Sequence, residues 1–140
     1  MERVIQGNTV VSGHVQGKAL VSDEPLSFWG GYDQNTGKII DQRHPLAGQE
    51  VGGNILAIPF SRGSTTTAAI LLEAVQTGKS PLAILTVGVD KFFALASIVA
   101  DELFGKLVPI VSLNKSDFAM LRNNQWIEIQ PNGTLIINDK

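Results

Sequence analysis

Apolar residues are spaced in three different ways along this chain, and the spacing predicts where its elements fall. From Met1 to Val21 they alternate loosely and are interrupted by Gly7, Gly13 and Gly17. Val10, Val11, Val15 and Ala19-Leu20-Val21 supply strand-type residues, so this part predicts short strands joined by glycine turns. From Ser22 to Gly53 the periodicity disappears, and Gly, Pro, Asp, Asn and Gln take over. That predicts a long connecting loop, which is unusual inside a compact domain and is often functional. From Asn54 onward the runs are regular. Asn54 to Pro59 is continuously apolar and predicts a buried strand. Thr65 to Thr77 predicts a helix with Ala69, Leu72 and Gln76 on one face and Ala68, Leu71, Leu72 and Val75 on another, ended by Gly78. Leu82 to Val87 is a second buried strand. Asp90 is an N-cap for a helix from Lys91 to Phe104, where Phe92, Leu95, Ala96, Val99 and Leu103 form an apolar stripe and Gly105 closes the last turn. Val108 to Leu113 is a third buried strand. Trp126 to Gln130 then alternates, Pro131-Asn132-Gly133 turns, and Thr134 to Ile137 returns as a hairpin.

Strand–helix–strand–helix–strand implies right-handed crossovers and a parallel core. The expected fold is therefore α/β, a short parallel core sheet with strands added from both termini, with residues 1–140 forming one domain.

Composition narrows the function more than the fold. Of 140 residues, 44% are hydrophobic and only 17% charged, with a net charge of −2. There is no basic run, so nucleic-acid binding is not expected. Cysteine is absent, which removes disulfides, cysteine nucleophiles and any iron–sulfur cluster held by this chain's own thiolates. His14 and His44 have no metal-ligand spacing. No apolar run approaches the about 20 residues of a membrane span, and MERVIQGNTV carries no secretory signal, so a cytoplasmic protein is expected.

The candidate chemistry is concentrated in PFSRGSTTT, Pro59 to Thr67, at the joint between the first buried strand and its helix. In one reading it is only a capped helix, with Ser64 accepting from the N–H of Thr66 or Thr67. In the other it is an anion site. The helix start offers free N–H groups and a partial positive charge, Gly63 allows close approach, and Arg62 offers a fork for a carboxylate or phosphate. Ser61, Ser64 and Thr65 flank it with hydroxyls, at the strand end where ligands of open α/β sheets bind. It matches neither a Walker A loop nor a GxSxG elbow. A serine hydrolase would have to recruit His14 or His44.

Elsewhere the bland readings prevail. Phe28 and Trp29 are expected to cover an apolar gap, Arg43 and Asp41 to pair across their loop, His44 to hydrogen-bond within it, and Trp126 to pack in the hairpin. Asp101-Glu102 is expected to be a solvated face.

Three motifs together carry a resemblance. Ser27-Phe28-Trp29-Gly30-Gly31-Tyr32-Asp33, Asp41-Gln42-Arg43-His44-Pro45-Leu46 and Arg62-Gly63-Ser64-Thr65 occur in the order and spacing of the aconitase X family. From about Val10 to Leu113 the chain resembles that family's small subunit, the swivelling domain. The resemblance implies a β/β/α fold similar to the mobile fourth domain of aconitase. It implies part of a hydro-lyase that dehydrates a small hydroxy acid, no cofactor on this chain, and a large-subunit partner carrying an iron–sulfur cluster on its own cysteines. It also implies that Ser64, in the family's RGS motif, is the proton acceptor. Many members have glycine where this chain has Ser61. Within the family, Ala100 to Lys106 is similar to the bacterial cis-3-hydroxy-L-proline dehydratase form. The archaeal mevalonate 5-phosphate dehydratase is the second possibility, and a non-catalytic module that binds a carboxylate or a partner is a third.

Overall fold

The computed structural model describes residues 2–63 and 65–138. The elements are β1 (Glu2–Gln6), β2 (Asn8–Val11), β3 (Val15–Val21), β4 (Leu26–Ser27), β5 (Ile55–Ala57), β6 (Ser61–Arg62), α1 (Thr65–Thr77), β7 (Ala83–Val87), α2 (Lys91–Phe104), β8 (Ile110–Leu113), α3 (Lys115–Phe118), β9 (Trp126–Ile129) and β10 (Thr134–Asn138). Eight strands join in the order β1-β10-β9-β3-β5-β7-β8-β2. The centre, β3-β5-β7-β8, is parallel. β1, β10, β9 and β3 pair antiparallel, as do β2 and β8.

Why the central strands read as unbroken apolar runs follows from this arrangement. They are buried on both faces, because each face has a core of its own. With period 2, Leu20, Leu56, Ile58, Ile84 and Ile110 point to α1 and α2. Ala19, Ile55, Ala57, Ala83, Leu85, Val111 and Leu113 point the other way, against Ile127, Ile129, Leu135 and Ile137 of the antiparallel strands. The result is a β/β/α stack. β1 and β2 lie at opposite ends of the strand order yet are linked by Gly7 alone, so the sheet curls until its edges meet. The link is tight: Gly7 N–H donates to the Gly133 carbonyl at 3.0 Å, and a Cβ on Gly7 would stand 2.4 Å from Val111 Cγ1.

The described helix caps match expectation. The Asp90 side chain caps α2, and Gly105 closes it in the left-handed region with φ 64°. Gly78 ends α1 with φ 76°.

Four readings of the pattern are corrected. Residues 22–53 are not structureless. They contain β4 and the isolated bridges Tyr32↔Ile39 and Lys38↔Glu50, and they bury Leu26, Phe28, Tyr32, Ile39, Leu46 and Val51 in the helix-side core. The apolar residues there are too scattered to show a period. Gly17 is not in a turn but inside β3, where a larger side chain would meet Leu82 Cδ1 at 2.9 Å. α1 buries Thr67, Leu71, Ala74 and Val75. α2 buries Phe93, Ala96, Ser97 and Ala100, leaving Leu95 and Leu103 of the expected stripe 50% and 64% exposed. The two helices pack directly on each other, and close approach selects small residues over the most hydrophobic ones.

Candidate functional site

The site is built at the C-terminal ends of the parallel strands. β5 leaves the sheet through Ile58 and Pro59, whose backbone groups extend the pairing with β7 (Ile58 N–H to Leu85 carbonyl 3.1 Å, Val87 N–H to Pro59 carbonyl 2.9 Å). The chain then forms β6 and enters α1. Gly63 has φ 125°, a left-handed value that disfavours any other side chain, and a Cβ there would stand 3.3 Å from Thr67 Oγ1. Of the predicted residues, Ser61 is half-buried while Arg62, Gly63 and Thr65 are exposed. Ser64 lies outside the described residues, as does its expected capping bond. The first turn of α1 holds no acidic side chain, so nothing there competes with a bound anion. Among the described residues Arg62 has no ion pair.

Two features were not legible in the sequence. The first is the parallel pairing of β4 with β6, Leu26↔Ser61 and Ser27↔Arg62. It brings the aromatic-glycine motif beside the Arg-Gly-Ser motif. Ser27 Oγ donates to the Trp29 carbonyl at 3.1 Å. Phe28 is fully buried, stacked on Tyr32 at 4.7 Å and edge-on to Phe93 at 5.1 Å. Trp29 is 70% exposed, so the expected gap-filling role belongs to Phe28 alone. Two-residue strands carry no periodic signal, so only the assembled sheet reveals them.

The second is Asp90. The residue before a helix is legible as a cap, and Oδ1 does accept from the N–H groups of Phe92 and Phe93 at 3.1 and 3.2 Å. Its other oxygen reaches across to the neighbouring strand–helix joint. Oδ2 accepts from both the N–H and the hydroxyl of Ser61 at 2.7 Å each. Asp90 is 9% exposed. The turn preceding it is held by Thr86 Oγ1, which donates to the Gly88 carbonyl at 2.7 Å.

Two clefts flank Phe60 at this edge. One, of about 450 Å³, is lined by Phe60, Ser61, Val89, Asp90, Lys91 and Phe92. The other, of about 300 Å³, is lined by Asp23, Pro59, Phe60, Val87, Lys115 and Phe118. Their linings mix the exposed apolar side chains Phe60 and Val89 with the cations Lys91 and Lys115.

The other candidates make contacts of their own. His44 is buried and spends both ring nitrogens on backbone groups: Leu46 N–H donates to Nδ1 at 3.1 Å, and Nε2 meets the Glu24 carbonyl at 3.3 Å. That pattern fixes the Nε2–H tautomer and agrees with the loop role expected for it. His14 pairs with Glu128 at 2.7 Å. Asp41 accepts the backbone N–H of Arg43 at 3.0 Å, an Asx turn rather than the expected side-chain pair. Trp126 is half exposed, lies opposite Asn138 in the β9–β10 hairpin and donates to Gln16 Oε1 on β3 at 3.3 Å. Asp101 and Glu102 are exposed, as expected. No group of three or more His, Asp or Glu among the described residues is placed to hold a metal. With no cysteine in the chain, an iron–sulfur cluster does not fit the residues present. No described helix is long and apolar enough to cross a membrane.

A family model described as the aconitase X swivel domain matches residues 4–137. The chain is 44% identical over 112 residues to a cis-3-hydroxy-L-proline dehydratase of Pseudomonas aeruginosa, covering 80% of this chain and 19% of that protein. It spans about a fifth of the length of that relative and of a second one from Hypocrea jecorina. It is 36% identical over 125 residues to the phosphomevalonate dehydratase small subunit of Thermococcus sibiricus, covering 89% of this chain and 90% of that one. The crystal structure of Thermococcus kodakaraensis aconitase X in its holo-form superposes with a TM-score of 0.86 at 27% identity, over 98% of this chain and 99% of that chain. The chain belongs to the aconitase X swivel domain family.

Proposed function

We propose that this chain is the swivelling part of an aconitase X-type dehydratase that removes water from a hydroxy acid, with Ser64 as the proton acceptor. The carrying observation is the joint itself. A strand end, an unpaired Arg62 and a helix start free of acidic residues converge beside the Trp29 loop, in a chain of this family.

Dehydration takes a proton from a carbon next to a carboxylate. A serine hydroxyl is a weak base in water, and acquires that role only where its alkoxide is stabilised. Arg62 supplies positive charge, the first-turn N–H groups of α1 supply preorganised donors, and closure against a second surface excludes water. Arg62 also grips the substrate carboxylate through its planar fork. Departure of the hydroxide belongs to groups outside these 140 residues. We assign the iron–sulfur cluster to a large subunit, against which the exposed Trp29, Phe60 and Val89 close.

We place cis-3-hydroxy-L-proline first as substrate, supported by the 44% identity to the Pseudomonas aeruginosa enzyme. Mevalonate 5-phosphate is the second reading, supported by the 36% identity to the Thermococcus sibiricus small subunit and by the exposed Arg62 at the start of α1, whose fork suits a phosphate.

The test is turnover of Ser64→Ala in the complex with the partner, assayed against both substrates. Loss of about 10²-fold or more in kcat is expected for removal of a general base. Near-normal turnover would overturn the assignment.

A further inference from the structure

We propose that Asp90 is the positioning residue of the Arg-Gly-Ser segment, setting its geometry from the neighbouring helix. The observation is the division of labour between its two oxygens. Oδ1 is spent on the first N–H groups of α2. Oδ2 takes two donors from one residue, the N–H and the hydroxyl of Ser61, at 2.7 Å each. The distances are those of charge-assisted hydrogen bonds, and Asp90 is nearly buried.

The consequence for the segment is specific. Ser61 immediately precedes Arg62 and Gly63, and β6 is only two residues long, so its pairing with β4 is too short to fix the chain alone. Two bonds from one carboxylate set the position and orientation of the Ser61 peptide, and the segment departs towards α1 from there. Two strand–helix joints of the sheet are thereby locked together, one carrying the chemistry and the other carrying the lock. The hydroxyl at position 61 adds the second bond, which a glycine would lack. The functional half of this assignment rests on Ser64 being the proton acceptor. The structural half does not.

Asp90→Asn separates the two roles of the side chain. Asparagine caps a helix about as well as aspartate, so α2 is retained. Its amide NH2 faces the Ser61 N–H, however, and cannot accept from it. In the isolated chain, hydrogen exchange followed by NMR is expected to show the Ser61 amide exchanging about tenfold faster or more, with the amides of the α2 interior as protected as in the parent. Ser61→Ala, which loses only the hydroxyl bond, is expected to show a smaller acceleration and guards against misfolding of the first variant. In the complex with the large subunit, Asp90→Asn is expected to lower kcat about tenfold or more and, because Arg62 lies on the same segment, to raise KM as well. Unchanged exchange at Ser61 overturns the proposal, and so does accelerated exchange with full kcat. If the parent complex dehydrates neither substrate, both substrate assignments fall, and the exchange measurement alone decides whether Asp90 holds the segment.

Discussion

Tyr32 shows what a single side chain contributes in the long connection. Its ring stacks on Phe28, and its hydroxyl donates to the Lys79 carbonyl at 2.6 Å, tying the connection to the end of α1. Burial raises the phenol's pKa well above its ordinary value, and the charge on Glu50 adds to the shift. The neutral form is thus favoured in the folded chain. Its contribution to stability is complete below the ordinary tyrosine range near pH 10 and declines as pH rises beyond it, because the unfolded chain ionises first. Tyr32→Phe should cost about 1 kcal/mol at neutral pH for the lost hydrogen bond, and its stability should fall less steeply above pH about 10. Urea unfolding across that range checks both. The sequence marks Phe28-Trp29 as notable without saying which ring is inside. That depends on which side of the turn meets Phe93.

For an element, the instructive case is α2. Its most hydrophobic stripe is not its buried one. The buried face is made by Phe93, Ala96, Ser97 and Ala100, and Ser97 is polar. Ser97 Oγ donates to the Val108 carbonyl at 2.6 Å and accepts the Val108 N–H at 2.9 Å, fastening the helix to the approach to β8. Ser97→Ala leaves both backbone groups buried without that partner and should destabilise the chain by about 1–3 kcal/mol. Leu95→Gln, on the exposed side, should stay within about 0.5 kcal/mol. Thermal or chemical unfolding of the pair tests the assignment of faces, and the reverse ranking would refute it. Hydropathy located this helix and both its ends, because a cap and a closing glycine act through adjacent backbone groups. It misjudged the face, because a helix face is chosen by the shape of its neighbour.

For the whole molecule, the curled sheet places two strand–helix joints and the Trp29 loop along one edge, where the exposed apolar side chains Trp29, Phe60 and Val89 and the cations Arg62 and Lys91 are found. On the proposed reading, that edge is half of a site. The pure 140-residue chain is therefore expected to turn over neither cis-3-hydroxy-L-proline nor mevalonate 5-phosphate, and activity is expected only when the large subunit is added. Robust dehydration by the chain alone would refute that division.

What the sequence determined by itself was local. Unbroken apolar runs marked strands buried on both faces, glycines and Asp90 marked helix ends, and the alternating strand–helix order dictated a parallel core. Three short motifs in a fixed order pointed to the family. Only the tertiary structure decided that Ser27 pairs with Arg62, that Phe28 is buried and Trp29 exposed, and that Asp90 serves two joints. These contacts join residues 29 to 35 positions apart in the chain. A pairing two residues long, or one carboxylate oxygen, has no period to read and exists only once the sheet has brought its partners side by side.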